Sequence, residues 1–190
     1  MKIILHENKT FDIIDYAEKE VSDREFIKCL FRGCDFSNTN MAGNEFVNCQ
    51  FTDCNLSMTK FGTTSLKNVF FKNCKLIGVD LSNCKVFLFS VGFENCILDY
   101  LSFFGKKLKN TIFKKCSIKE ANFTDSDLTK SVFPDCDLTR TQFENTNLNG
   151  VDFTTSYNYT IDPELNRMKN AKFSLHGLTG LLGKYGIIVE

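Results

Sequence analysis

Net charge is absent from this 190-residue chain, in which 23 basic side chains balance 23 acidic ones. No global field therefore draws it to nucleic acid or to an anionic membrane. Long apolar runs are also missing. The start, MKIILHENKT, holds two Lys and only three consecutive apolar residues, short of a secretory leader, and nothing approaches the roughly 18 apolar residues of a membrane span. The expectation is a soluble, cytoplasmic protein of one domain, with its nine cysteines reduced. Histidine is scarce, with His6 and His176 each in a terminal segment, and a lone histidine with no Cys or Ser nucleophile set beside it is a weak candidate for a catalytic base. No C-x-x-C occurs, so a four-ligand zinc site has no sequence support. Glycines do not cluster into a phosphate-binding loop. These absences argue against an enzyme and against any cofactor or metal.

What the sequence has is a period. FPDCDLTRTQFENTNLNGVDF, 133–153, places Phe or Leu at every fifth position, which fits neither the 3.6 of a helix nor the 2 of a strand. Calling each such residue i, one register runs from Phe26 to Val86 and a second from Phe93 to Phe153, giving 26 centres of which 14 are Phe. Core centres include Phe113, Phe123, Phe133, Phe143 and Phe153. All nine cysteines fall at i−2, a slot otherwise filled by small residues such as Thr39, Ala121 and Ser126. Cys there reads as a small hydrophobe that fills space. Side chains stacked in one ladder point the same way, a poor geometry for disulfides. Position i+2 is Gly, Asn or Asp in 16 of 26 units, the residues that tolerate positive φ. Each unit is thus a short extended piece ending in a tight turn. If each turn bends the chain by about ninety degrees, four units close a square coil of 20 residues whose i and i−2 side chains point inward.

This pattern resembles the pentapeptide-repeat family, whose A-(D/N)-L-x-x consensus is met by ANFTD at 121–125 and SDLTK at 126–130. The resemblance implies an all-β fold, a right-handed quadrilateral parallel β-helix. It divides the chain into an irregular first coil or N-terminal cap at 1–23, repeats at 24–155, and a C-terminal cap at 156–190 that is expected to contain a short helix. The repeat register is taken to stop after Phe153, and IDPELNRMKNAKF predicts a helical turn after Pro163, with Ala171 and Phe173 a possible last unit. A two-residue slip within VFLFSVGF, 86–93, predicts a bulge or an apolar handle for a partner. Lys106 puts a charge at an inward i−2 position, which a local bend or a snorkelling stem would accommodate.

Charge is segregated along the sequence. Residues 106–119 form a basic belt of net +6, and residues 120–152 carry a net of −5. At about 4.8 Å per coil the latter is roughly one negative charge per 1.6 Å, close to the ~1.7 Å of duplex DNA. Met168, Lys172, Leu181, Leu182 and YGIIV at 185–189 resemble the end of the Qnr-type, quinolone-resistance branch of the family. That resemblance implies a dimeric rod that binds DNA gyrase and topoisomerase IV by imitating duplex DNA, without binding nucleic acid or membrane itself. Asp125, Asp127, Asp135, Asp137, Glu144 and Asp152 are then the expected contact charges. Leu175, Leu178, Leu181, Leu182, Tyr185 and Ile187 either fold onto the last coil or form the homodimer interface. The alternative is a structural or interaction rod with another protein partner.

Overall fold

A computed structural model describes residues 3–187; Ile188 and Val189 of the YGIIV stretch lie outside the described residues. The chain winds into a quadrilateral β-helix of about eight coils. Four outer faces follow one another along each coil. The first carries the parallel strands Ile4–Glu7, Arg24–Ile27, Glu45–Val47 and Ser65–Lys67, in the order of the coils. On the second, Thr10–Asp12, Leu30–Arg32, Gln50–Thr52, Val69–Lys72, Val91–Glu94 and Phe113–Lys114 form a six-stranded parallel sheet. The third and fourth are laddered by single bridges such as Asp35↔Asn55 and Asn40↔Lys60. Register runs at 20, with Phe31 on Phe51 and Phe51 on Phe71.

Inward residues fill the shaft. Phe113 and Phe133 stack at 4.7 Å between ring centroids, Phe133 and Phe153 at 5.1 Å, and Phe123 meets Phe113 edge-on at 5.7 Å. Each ring is buried, and both geometries are favourable for aromatic pairs. Every cysteine is free and buried. The i−2 slot also has a polar task that its size does not reveal. Cys136 Sγ donates to Phe113 O at 3.0 Å, Ser126 Oγ to Phe103 O at 2.7 Å, and Thr146 Oγ1 to Phe123 O at 2.8 Å. A thiol or hydroxyl here both fills the slot and satisfies a carbonyl of the coil beneath. Burial pushes the Cys49 thiol up to about 11 and the Cys84 thiol up to about 12, and a protonated thiol is a poor nucleophile. We expect a thiol reagent at neutral pH to label none of the nine in the folded protein and all of them in guanidinium. Rapid native labelling of Cys49 would contradict its burial.

The turns obey the backbone more strictly than the residue types do. At i+2, 23 of the 26 units have positive φ, including Met58, Leu88, Tyr100, Glu120, Lys130 and Arg140. Those side chains adopt a conformation that costs about 1–2 kcal/mol per residue because the corner demands it.

Three expectations are corrected. Val86 is not a core centre: it is 61% exposed, because the two extra residues leave the wall as a bulge. Lys85 N still bonds Thr64 O, Ser90 N bonds Leu66 O, and stacking resumes with Val69 on Val91 at a spacing of 22. The slot left empty is closed by Phe89, packed against the core, and by Lys106, whose buried Nζ donates to Cys84 O at 2.5 Å and lies 5.2 Å from the Phe89 ring centre. Nor does the winding stop at Phe153. Arg167 bridges to Asn147, Phe173 pairs with Phe153, and the segment after Pro163 is a turn within a further coil, not a helix. At the other end, residues 4–23 pair in register with the second coil, although Phe11 and Tyr16 remain half-buried.

The helix comes later, at Thr179–Leu182, flanked by 3-10 turns His176–Leu178 and Gly183–Tyr185. It closes the last coil: Ile161 N donates to Gly180 O at 3.0 Å, and Lys184 pairs with Asp162 at 2.8 Å.

Candidate functional site: the charged outer faces

With the interior solid, function must come from positions i−1, i+1 and i+2, which face outward. Sorting these by face reveals a pattern that the linear sequence hides. The first face has Lys28, Lys67, Lys85, Lys107, Lys109, Lys130, Arg167 and Lys169 against Glu7, Glu25, Glu45 and Asp127, a net of +4. The second is neutral. On the third, Asp15, Glu18, Asp35, Asp99, Glu120 and Asp137 face Lys75, Lys119 and Arg140, a net of −3. The fourth holds Glu20, Asp23, Asp80, Asp125, Glu144, Asp162 and Glu164 against Lys60, a net of −6, with the last two acids paired to Lys184 of the cap. A neutral rod is therefore polarised across its width.

The six acids singled out from the sequence do not share one face. Asp125 and Glu144 lie on the fourth, Asp135 and Asp152 on the second, Asp127 on the first and Asp137 on the third. Three are tied to lysines of adjacent coils: Asp127 to Lys109 at 3.2 Å, Asp137 to Lys119 at 3.3 Å, and Asp152 to Lys172 at 3.8 Å. Burial opposes ionisation of Asp127 and Asp137. Hydrogen bonds from Thr129 and Thr139, with the lysines, still hold both carboxyls below the usual range. Asp125, Asp135 and Glu144 form no ion pair among the described residues. Asp80, which sequence reasoning passed over, joins Asp125 and Glu144 on the fourth face; its position in the 20-residue period was the signal that could have found it.

The basic belt wraps around the rod. Lys107 and Lys109 are on the first face, Lys114 and Lys115 on the second and Lys119 on the third, while Lys106 is buried. Lys114 pairs with Glu94 of the coil below at 3.0 Å. Much of the segregation along the sequence is thus one coil's bases meeting its neighbours' acids.

Other candidate chemistry is dispersed. His6 stacks on Phe26 at 5.0 Å, and burial lowers its pKa. His176 lines a cleft of about 790 Å³ between the last coil and the helix, together with Thr139, Ser156, Tyr157, Asn158 and Ser174 but no carboxylate. No cluster of His, Cys, Asp or Glu suited to a metal occurs among the described residues, and no helix among them is long and apolar enough to cross a membrane. Of the cap residues, Leu175, Leu178, Tyr185 and Ile187 are exposed. Leu181 packs against the core and Leu182 is half-buried.

Among solved structures, trypsin-treated QnrB1, described as a plasmid-mediated fluoroquinolone resistance protein, is similar over 95% of this chain and 100% of its own, at 18% identity and a TM-score of 0.65. Full-length QnrB1 gives 0.59 at 18% identity, covering 94% of this chain and 100% of its own. HetL, a pentapeptide-repeat protein involved in heterocyst differentiation regulation in the cyanobacterium Nostoc sp. strain PCC 7120, gives 0.56 at 13% identity, covering 89% and 88%. No curated protein matches the sequence. The profile of the pentapeptide repeat region matches residues 24–103 and 86–162, and with the square winding that accounts for those residues, the chain belongs to the pentapeptide-repeat family.

Proposed function

We propose that this is a non-enzymatic, protein-binding rod of the Qnr type that engages DNA gyrase or topoisomerase IV in the cytoplasm and protects it from quinolones. The observation that carries the reading is the acidic pair of adjacent third and fourth faces. Together they have 13 acids against four bases, and the lysine belt interrupts them only at Lys119. Asp80, Asp125 and Glu144 are the contact charges that this geometry favours, with Asp137 beside them on the third face. End-to-end likeness in fold to QnrB1 supports the same reading. Purified protein at micromolar concentration should restore or inhibit gyrase supercoiling in the presence of a quinolone. Replacing Asp80 and Asp125 by Asn and Glu144 by Gln should weaken that effect by about tenfold or more, since charge pairs across an interface contribute a few kcal/mol each. The absence of both protection and inhibition at that concentration would remove the topoisomerase from the proposal.

A second reading, an interaction rod for another protein, is favoured by the pairing of Asp127, Asp137 and Asp152 with lysines. Charges spent within the rod are not free to imitate phosphates.

The rod acts as a homodimer in this proposal. Leu175, Leu178, Tyr185 and Ile187 form the contact, because they point outward from a cap that is already docked. Changing Leu175 and Leu178 to Glu should halve the mass in light scattering; an unchanged mass would remove this interface.

A further inference from the structure

The bulge on the first face is the one place where consecutive apolar side chains leave the wall together in mid-rod. Val86 is 61% exposed, Phe87 73% and Leu88 62%. Its base is anchored rather than loose, since Phe89 packs on the core under the Lys106 ammonium. Lys67 lies 5.6 Å from the Phe87 ring centre. Lys85 opens the bulge and Lys107 sits on the coil above; both are exposed, and neither forms an ion pair among the described residues. Other bases of this face run from Lys28 on the second coil to Lys169 on the last and are exposed, whereas of its four acids Glu25, Glu45 and Asp127 are half-buried and only Glu7, on the first coil, is exposed. Lys67 pairs with Glu45 and Lys109 with Asp127, which leaves Lys28, Lys85, Lys107, Lys130, Arg167 and Lys169 without an ion pair among the described residues.

We propose that the first face is a docking surface for an anionic lipid bilayer, with Phe87 and Leu88 inserted among the acyl chains and the lysines over the headgroup phosphates. Three features select this occupant. The bases are spread along a face about seven coils long, which matches an extended anionic surface better than a single pocket on a protein. The tip is convex and apolar, and it mixes aliphatic with aromatic side chains. Binding to single-stranded nucleic acid relies on aromatic stacking platforms, which Val86 and Leu88 cannot provide. A rigid apolar tip ringed by lysines combines the two forces that hold proteins at a membrane surface, apolar burial and attraction to anionic lipid. The zero net charge of the chain hides this surface, because its countercharges lie on the third and fourth faces. Docking through the first face leaves those acidic faces exposed, so the inference stands whether or not a topoisomerase binds there.

Cosedimentation of the full chain with vesicles tests the proposal. The protein should sediment with phosphatidylcholine vesicles containing phosphatidylglycerol at low salt, and not with phosphatidylcholine alone. F87S/L88S and, separately, K85E/K107E should each lower vesicle affinity by about tenfold or more, since each juxtamembrane base is worth about fivefold. The thermal midpoint should not change, because all four side chains point outward. No sedimentation with the anionic vesicles would overturn the proposal, as would full binding by F87S/L88S. Binding to a single-stranded oligonucleotide without binding to vesicles would reassign the face to nucleic acid.

Discussion

Phe123→Ala should destabilise the protein by about 3–5 kcal/mol in reversible guanidinium unfolding. The ring is fully buried, stacks on Phe103 at 5.0 Å and Phe143 at 5.3 Å, and meets Phe113 and Phe133 edge-on at 5.7 and 6.1 Å. Removing it strips four aromatic contacts at once and leaves a hole that cannot close, because both neighbouring coils are fixed by their ladders. The corners have no slack to collapse inward, since their left-handed residues already hold the only bend that keeps the square. The same substitution at half-buried Phe11 should cost much less. A loss below about 1 kcal/mol at Phe123 would contradict the rigid packing described.

Gly180→Ala should be the next most damaging change, at about 2–3 kcal/mol. A Cβ at this position would lie 2.2 Å from Tyr159 O and 2.9 Å from its ring, and at Gly177 it would meet Tyr159 Oη at 1.9 Å. The helix is seated on Tyr159 through these two glycines, three residues apart, and the first of those contacts is with backbone that cannot rotate away. The cap must then lift, which breaks the Ile161–Gly180 hydrogen bond and uncovers Ile161 and Tyr159, now buried. Faster proteolysis after Lys184 would accompany the loss of stability. Unchanged proteolysis and an unchanged unfolding midpoint would show that the cap does not depend on this close approach.

The winding was legible because one rule recurs: a bulky group that must point inward every fifth residue leaves few other backbones possible. Phe133 and Leu138 announce their places by period alone. What the period could not give is what happens where it lapses. Val86 kept the spacing of its register yet left the core, since a spacing rule cannot say which side of a two-residue slip is expelled. After Phe153 the next two centres are Asn158 and Pro163, so the register looked finished there, while the backbones of Arg167 and Lys172 continued the stack and Phe173 took its place over Phe153. At i−2 the sequence displayed size but not the hydrogen bond that Cys136 and Ser126 both make. The faces of the acidic residues were hidden for a different reason. Proximity in sequence, as between Asp125, Asp127 and Asp135, means separate faces in a square coil, whereas Asp125 and Glu144 become neighbours only once the winding is known.

Ion pairs between coils have a consequence for how the rod finds its order. Inside, one coil looks much like another, so a stack that skipped a coil would still lay Phe on Phe along the second face. Outside, it would not match. Lys114 would meet Lys72 in place of Glu94, Lys109 would meet Asn147 in place of Asp127, and Arg140 would meet Tyr100 in place of Glu120. Each exposed pair is worth only about 0–1 kcal/mol, too little to hold the fold together. Their value lies in telling otherwise interchangeable layers apart, so that a chain able to thread itself in several ways settles on one.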